Sequence, residues 1–143
     1  MSAVISICLI LWLCLCSAED LRQQQMHTPL LLFGSIMGVL FHLLFHHLEL
    51  VDLLCGLLTG LGLFLLCRVG KGMIGEGDAL LFMATGTFLG WKGNLMLLWG
   101  AFLFSGFFGV LYLLIKRKRH AQIPFAPFVT VAYLAGLAMG GVG

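Results

Sequence analysis

Apolar residues run through this chain in long blocks, interrupted at five places by short polar or glycine-rich stretches. The breaks define six apolar segments, at residues 2–18, 29–46, 50–69, 79–91, 95–115 and 125–142. About 20 apolar residues suffice for a helix to cross the hydrocarbon layer. Backbone polar groups in lipid must be satisfied within the segment, which makes helices the expected elements. The fourth segment is short for a crossing and is kept because polar turns bound it on both sides. The pattern predicts an all-α fold, a polytopic membrane bundle of about six transmembrane helices. Little beyond short loops is left over, so residues 1–143 read as a single transmembrane domain without a sizeable extramembrane part.

Composition supports this reading. Hydrophobic residues make up 61% of the 143 positions and charged residues 10%, with a mean hydropathy of +1.08. Soluble domains average about 45–50% apolar and about 25% charged residues, so a soluble globule is excluded. Disorder is excluded as well, because disordered chains are poor in apolar residues. The five cysteines (Cys8, Cys14, Cys16, Cys55 and Cys67) all fall in apolar stretches, and none forms a C-x-x-C pair. They read as small packing residues, not as a disulfide framework or zinc knuckle.

Charge distribution sets the orientation. With the N-terminus outside, the cytoplasmic loops and adjoining span ends carry Arg22, Arg68, Lys71, Lys116, Arg117, Lys118 and Arg119, against Lys92 alone on the other side. Seven against one is a strong positive-inside bias, and both termini are expected outside. The first segment has one alternative, a cleaved signal peptide ending near Cys16-Ser17-Ala18. Residues 1–5 lack the basic side chain such a peptide carries, so a retained helix is preferred.

Four G-x-x-x-G spacings occur: Gly34/Gly38, Gly56/Gly60, Gly86/Gly90 and Gly136/Gly140. Such spacing lets helix backbones approach closely in lipid. Internal packing is the simpler reading, with a homodimer as the alternative.

Only six acidic residues are present: Glu19, Asp20, Glu49, Asp52, Glu76 and Asp78. Four form two clusters, Glu19-Asp20 after the first span and Gly75-Glu76-Gly77-Asp78 before the fourth. The predicted topology puts both at the cytoplasmic face. Two carboxylates meeting at one site resist joint ionisation and share a proton. The ionised member then takes a proton from water while the protonated member polarises a carbonyl, which suits peptide hydrolysis without a metal. Gly75 and Gly77 are expected to free the backbone for positive φ and to let a substrate chain come close. The structural alternative makes Asp78 the N-cap of the following helix and Asp20 an interfacial charge.

Gly75-Glu76-Gly77-Asp78 is a G-x-G-D motif. The stretch Lys71-Gly72-Met73-Ile74-Gly75-Glu76-Gly77-Asp78-Ala79-Leu80-Leu81, followed by Gly86 and Gly90-Trp91, resembles the second catalytic segment of type IV prepilin peptidases. Asp20-Leu21-Arg22, with Met26-His27-Thr28 downstream, resembles that family's first segment. Ile123-Pro124-Phe125-Ala126-Pro127-Phe128 resembles its closing Ile-Pro-Phe-Gly-Pro-Phe segment. The three matches occur in family order from about residue 18 onward. The resemblance implies an aspartyl endopeptidase that cuts the basic leader from type IV prepilins or pseudopilins at the cytoplasmic face of the bacterial inner membrane, typically after a glycine. It maps the two catalytic aspartates onto Asp20 and Asp78, and the motif glycines onto Gly75 and Gly77. It implies no cofactor, and as partners a prepilin substrate, membrane lipid and a pilus or secretion machinery.

The chain departs from the family pattern at Glu76, where a third glycine is common, and at Leu80, where a lysine is common. His27 and Thr28 replace the proline and Asn/Asp of the first segment. The cysteine-rich cytoplasmic loop that larger members link to methylation is not seen, so a short-form peptidase without N-methyltransferase activity is expected. Two rival functions remain. One is a small transporter or assembly subunit using the aspartates as proton or ion ligands. The other is a related G-x-G-D protease acting on preflagellin.

Other polar groups read as structural. His42, His46 and His47 lie at the outer end of the second span and lack a ligand set for a metal. Asp52 is expected to pair with His46 or His47 or to reach the interface. The basic run 116–120 reads as a topology anchor attracted to anionic lipid, without nucleic acid as a partner. The aromatic residues of the fifth span (Trp99, Phe102, Phe104, Phe107, Phe108 and Tyr112) read as lipid-facing and packing surface.

Overall fold

A computed structural model describes residues 3–23, 27–45, 49–69, 75–116 and 124–140. These form five helices: α1 (Ala3–Gln23), α2 (Thr28–Phe45), α3 (Leu50–Val69), α4 (Glu76–Lys116) and α5 (Ala126–Ala138). Four of them are long and apolar enough to cross a membrane, and α5 is a shorter apolar helix. The fold is a polytopic helical bundle. Large apolar side chains such as Ile7, Leu11, Leu15, Leu32, Ile36 and Leu103 cover its outside, as expected where lipid is the solvent.

Five helices stand where six segments were expected, because the fourth and fifth join in α4. They remain physically distinct. Gly90 breaks the helix with φ 67° and ψ −174°, a backbone region essentially reserved for glycine. Beyond the break the chain reverses. Asn94 Nδ2 donates to the Phe82 carbonyl at 2.9 Å, and Thr85 Oγ1 donates to Asn94 Oδ1 at 2.7 Å. In a straight helix, residues 82 and 94 would stand about 18 Å apart along the axis. The arms 76–89 and 91–116 are therefore an antiparallel hairpin. The expected polar turn at residues 92–94 is helical, and its asparagine is buried as a clamp.

α3 packs against this hairpin through its glycines. A Cβ on Gly56 would collide with the Gly86 carbonyl oxygen, and one on Gly60 with the Met83 backbone. Asn94 Nδ2 also donates to Thr59 Oγ1 at 2.6 Å, which ties α3 to the hairpin tip. α2 uses its own pair: Gly34 faces Trp12 of α1, and Gly38 faces Thr87 of α4. Trp12 Nε1 donates to the Leu30 carbonyl at 3.0 Å. Gly34/Gly38 and Gly56/Gly60 thus serve internal packing. In the other two spacings, Gly90 is the hairpin break and Gly140, with φ 68°, lies in the turn after α5.

α1 lays one face into the bundle: Ile5, Leu9, Leu13 and Cys16 are fully buried. That face meets α5, whose Val129 and Tyr133 are equally buried. Thr130 Oγ1 donates to the Leu13 carbonyl at 3.3 Å across the contact. The helix continues five residues past the expected end at Ala18, to Gln23. Glu19 and Asp20 therefore belong to its last turns, not to a loop. No disulfide joins any of the five cysteines among the described residues.

Candidate active site

The buried stripe of α1 does not stop with its apolar residues. Residues 5, 9, 13, 16 and 20 recur at helical spacing, which places Asp20 on the inward face, 7% exposed. A carboxylate there needs a partner. Asp20 Oδ2 accepts a 2.9 Å hydrogen bond from the backbone N–H of Ala126, the first residue of α5. The first backbone N–H groups of a helix have no partner within it. Phe125, the N-cap of α5, offers no side-chain oxygen. Asp20 supplies the missing acceptor from another helix, and its charge suits the positive end of the α5 dipole.

Asp78 is held differently. The N-cap of α4 is Gly75, whose carbonyl accepts the N–H groups of Asp78 and Ala79 at 3.1 and 3.3 Å. Asp78 is therefore the third helical residue and not the N-cap that the structural alternative made it. Its carboxylate turns back to accept a hydrogen bond from the Gly75 backbone, one half of a capping box. A Cβ on Gly75 would stand 3.1 Å from Asp78 Oδ2, so a glycine there leaves the carboxylate room to fold back. Gly77 has ordinary helical backbone. Positive φ is used at neither Gly75 nor Gly77, because α4 begins one turn earlier than expected, with Gly75 as its cap and Gly77 inside it.

The two carboxylates share one end of the bundle. Asp20 lies close enough to act electrostatically on Asp78. Phe125 spans the space between them: its neighbour Ala126 holds Asp20, while Phe125 itself lines the cavity that Asp78 faces. The Phe125 ring packs against Phe82 at 6.2 Å and Phe102 at 5.7 Å between centroids. The cavity, about 310 Å³, lies between the two arms of the hairpin, closed by Leu63 of α3 and by Phe125. Asp78 is the only charged residue among its described lining residues.

Neighbouring acids point elsewhere. Glu19 Oε1 lies 3.4 Å from His27 Nδ1, and Glu76 is exposed in the first turn of α4. His42 is buried in α2. His46, His47, Met26, Lys71–Ile74, residues 117–120 and Ile123 lie outside the described residues. No group of three or more His, Cys, Asp or Glu side chains able to hold a metal occurs among the described residues. Nothing local in the sequence pairs Ala126 with Asp20, although Ala126 lies in the closing motif at 123–128.

A membrane-spanning helical bundle with two carboxylates converging at one end is the class of protein these features define. The chain belongs to the type IV leader peptidase family, which it matches over residues 7–114. It is similar to the prepilin leader peptidase/N-methyltransferases of Aeromonas salmonicida and Aeromonas hydrophila, each 32% identical over 127 residues. Those matches cover 84% of this chain and 42% of each relative, so the chain spans about two fifths of their length. No solved structure matches it significantly.

Proposed function

We propose that this chain is an intramembrane aspartyl endopeptidase that removes the basic leader from type IV prepilin or pseudopilin-like proteins at the cytoplasmic membrane face. Asp20 and Asp78 are the catalytic pair. The observation that carries the reading is their convergence across 58 residues of sequence: a buried Asp20 fixed by the start of α5, within electrostatic reach of an Asp78 that faces a cavity. One ionised carboxylate takes a proton from water as its oxygen attacks the scissile carbonyl carbon. The protonated partner gives its proton to the carbonyl oxygen. Collapse of the tetrahedral species breaks the C–N bond, and a proton passes to the leaving amine. The apolar helix of the substrate lies against the bundle and its leader junction reaches Asp20 and Asp78 at the helix ends.

The transporter reading calls for charges near the bilayer midplane. Both aspartates here stand within a turn or so of a helix end. The Lys/Arg bias supports an inner-membrane orientation with both termini outside. Residues 1–143 are proposed to act as a single peptidase domain, and nothing described in this chain is assigned to methyl transfer. Gly75 is assigned to carboxylate placement and Gly77 to substrate approach. The decisive experiment is co-expression with a prepilin, following its mass in membranes, beside Asp20→Asn and Asp78→Asn. Wild type is expected to cleave and each variant to be inert while still inserted. Cleavage by either variant would remove that aspartate from the mechanism.

A further inference from the structure

We propose that Gly106 sets the size of the apolar side chain that the enzyme accepts immediately after the scissile bond. This rests on the peptidase reading above. The cavity beside Asp78 runs inward along the hairpin, from Asp78 and Gly106 past Phe82 and Phe102 to Leu98. Among its described lining residues Asp78 alone is charged, and three are phenylalanines, Phe82, Phe102 and Phe125. A substrate whose leader lies on the cytoplasmic side presents its apolar segment toward the membrane. The first residue of that segment is therefore the one placed in the cavity when the scissile carbonyl is at Asp78.

Glycine weakens a helix interior, so a glycine in the long arm of α4 calls for a reason. Close packing is that reason at Gly56 and Gly60, but not at Gly106, where an added Cβ would meet nothing within 4 Å. What Gly106 borders is the cavity. A larger residue there would narrow the cavity without disturbing a helix contact. Gly62 is the matched control: a Cβ there also meets nothing within 4 Å, and Gly62 is not among the cavity's lining residues.

The test uses the full chain in detergent, with Gly106→Leu and Gly62→Leu beside wild type. Two prepilin peptides are compared, one with phenylalanine and one with alanine after the scissile bond. Gly106→Leu is expected to lower kcat/KM for the phenylalanine peptide about tenfold or more, with the alanine peptide and Gly62→Leu changed much less. Equal loss on both peptides, or no loss on either, overturns the assignment. A second readout does not depend on turnover. A peptide carrying a diazirine analogue of leucine at that position is photolysed with the protein, and the adducts are mapped. Adducts on Phe82, Phe102 or Ser105 that Gly106→Leu abolishes support the site, and adducts elsewhere overturn it. Mapped adducts without cleavage of any prepilin would keep the side-chain site and sink the peptidase reading.

Discussion

Ala126 and Asp20 are 106 residues apart in the chain and joined by one hydrogen bond, from the Ala126 backbone N–H to Asp20 Oδ2 at 2.9 Å. The bond gives α5 the cap its own sequence lacks and fixes the carboxylate of α1 in one place. The structural role of this side chain and the chemical role proposed for it can be separated by substitution.

Asp20→Asn keeps an oxygen for the Ala126 N–H, whereas Asp20→Ala leaves that donor buried without a partner. An orphaned buried group costs about 1–3 kcal/mol. The alanine variant is therefore expected to melt below the asparagine variant in detergent, although both lose activity. Equal melting of the two would show that the bond contributes nothing to stability.

Gly90 makes the hairpin possible. Its φ of 67° with ψ near −174° costs a residue with a Cβ about 1–3 kcal/mol. Gly90→Ala is expected to lower the melting temperature and, by splaying the arms, to reduce cleavage. A variant as stable as wild type would mean that the arms meet without this backbone conformation.

Asn94 Nδ2 donates to Thr59 Oγ1 and to the Phe82 and Gly56 carbonyls, and its Oδ1 accepts a hydrogen bond from Thr85 Oγ1. Hydrogen bonds between membrane helices average about 0.6 kcal/mol each, so Asn94→Ala should cost about 2 kcal/mol. Thermal unfolding in detergent measures this, and a loss below a few tenths would assign the hairpin's stability to packing alone.

Gly60 and Gly62 stand two residues apart on α3 with opposite environments. A Cβ at Gly60 meets the Met83 backbone, whereas one at Gly62 meets nothing within 4 Å. Gly60→Ala should therefore destabilise by about 1–3 kcal/mol through overpacking. Gly62→Ala should be neutral or stabilise by up to about 1 kcal/mol, because alanine favours the helix. Similar melting shifts for the two would mean that α3 does not sit as closely on the hairpin as the Gly60 contact requires.

The chain's own pattern determined the segments. α3 spans the expected residues, α2 starts one residue early, and the chain does reverse between the fourth and fifth segments, at Gly90 and not at the expected polar turn 92–94. The reason is local: in lipid each backbone must satisfy its own polar groups, so apolar length and glycine breaks dictate helices without reference to the rest of the molecule. The candidate carboxylates were legible because the chain holds only six acidic residues and four of them stand in two short clusters. The inward position of Asp20 follows the helical repeat of the buried Ile5, Leu9, Leu13 and Cys16, but only the extension of α1 to Gln23 carries that repeat as far as residue 20. Only the tertiary structure decided that Ala126 holds Asp20, that Phe125 joins the two acidic ends, and that Gly60 is packed while Gly62 and Gly106 are open. Helices of equal hydropathy gain nothing from lipid by choosing one neighbour over another, so their arrangement rests on the fit of small residues and a few hydrogen bonds between distant parts of the chain. That fit is a property of paired surfaces, and no single stretch of sequence contains it.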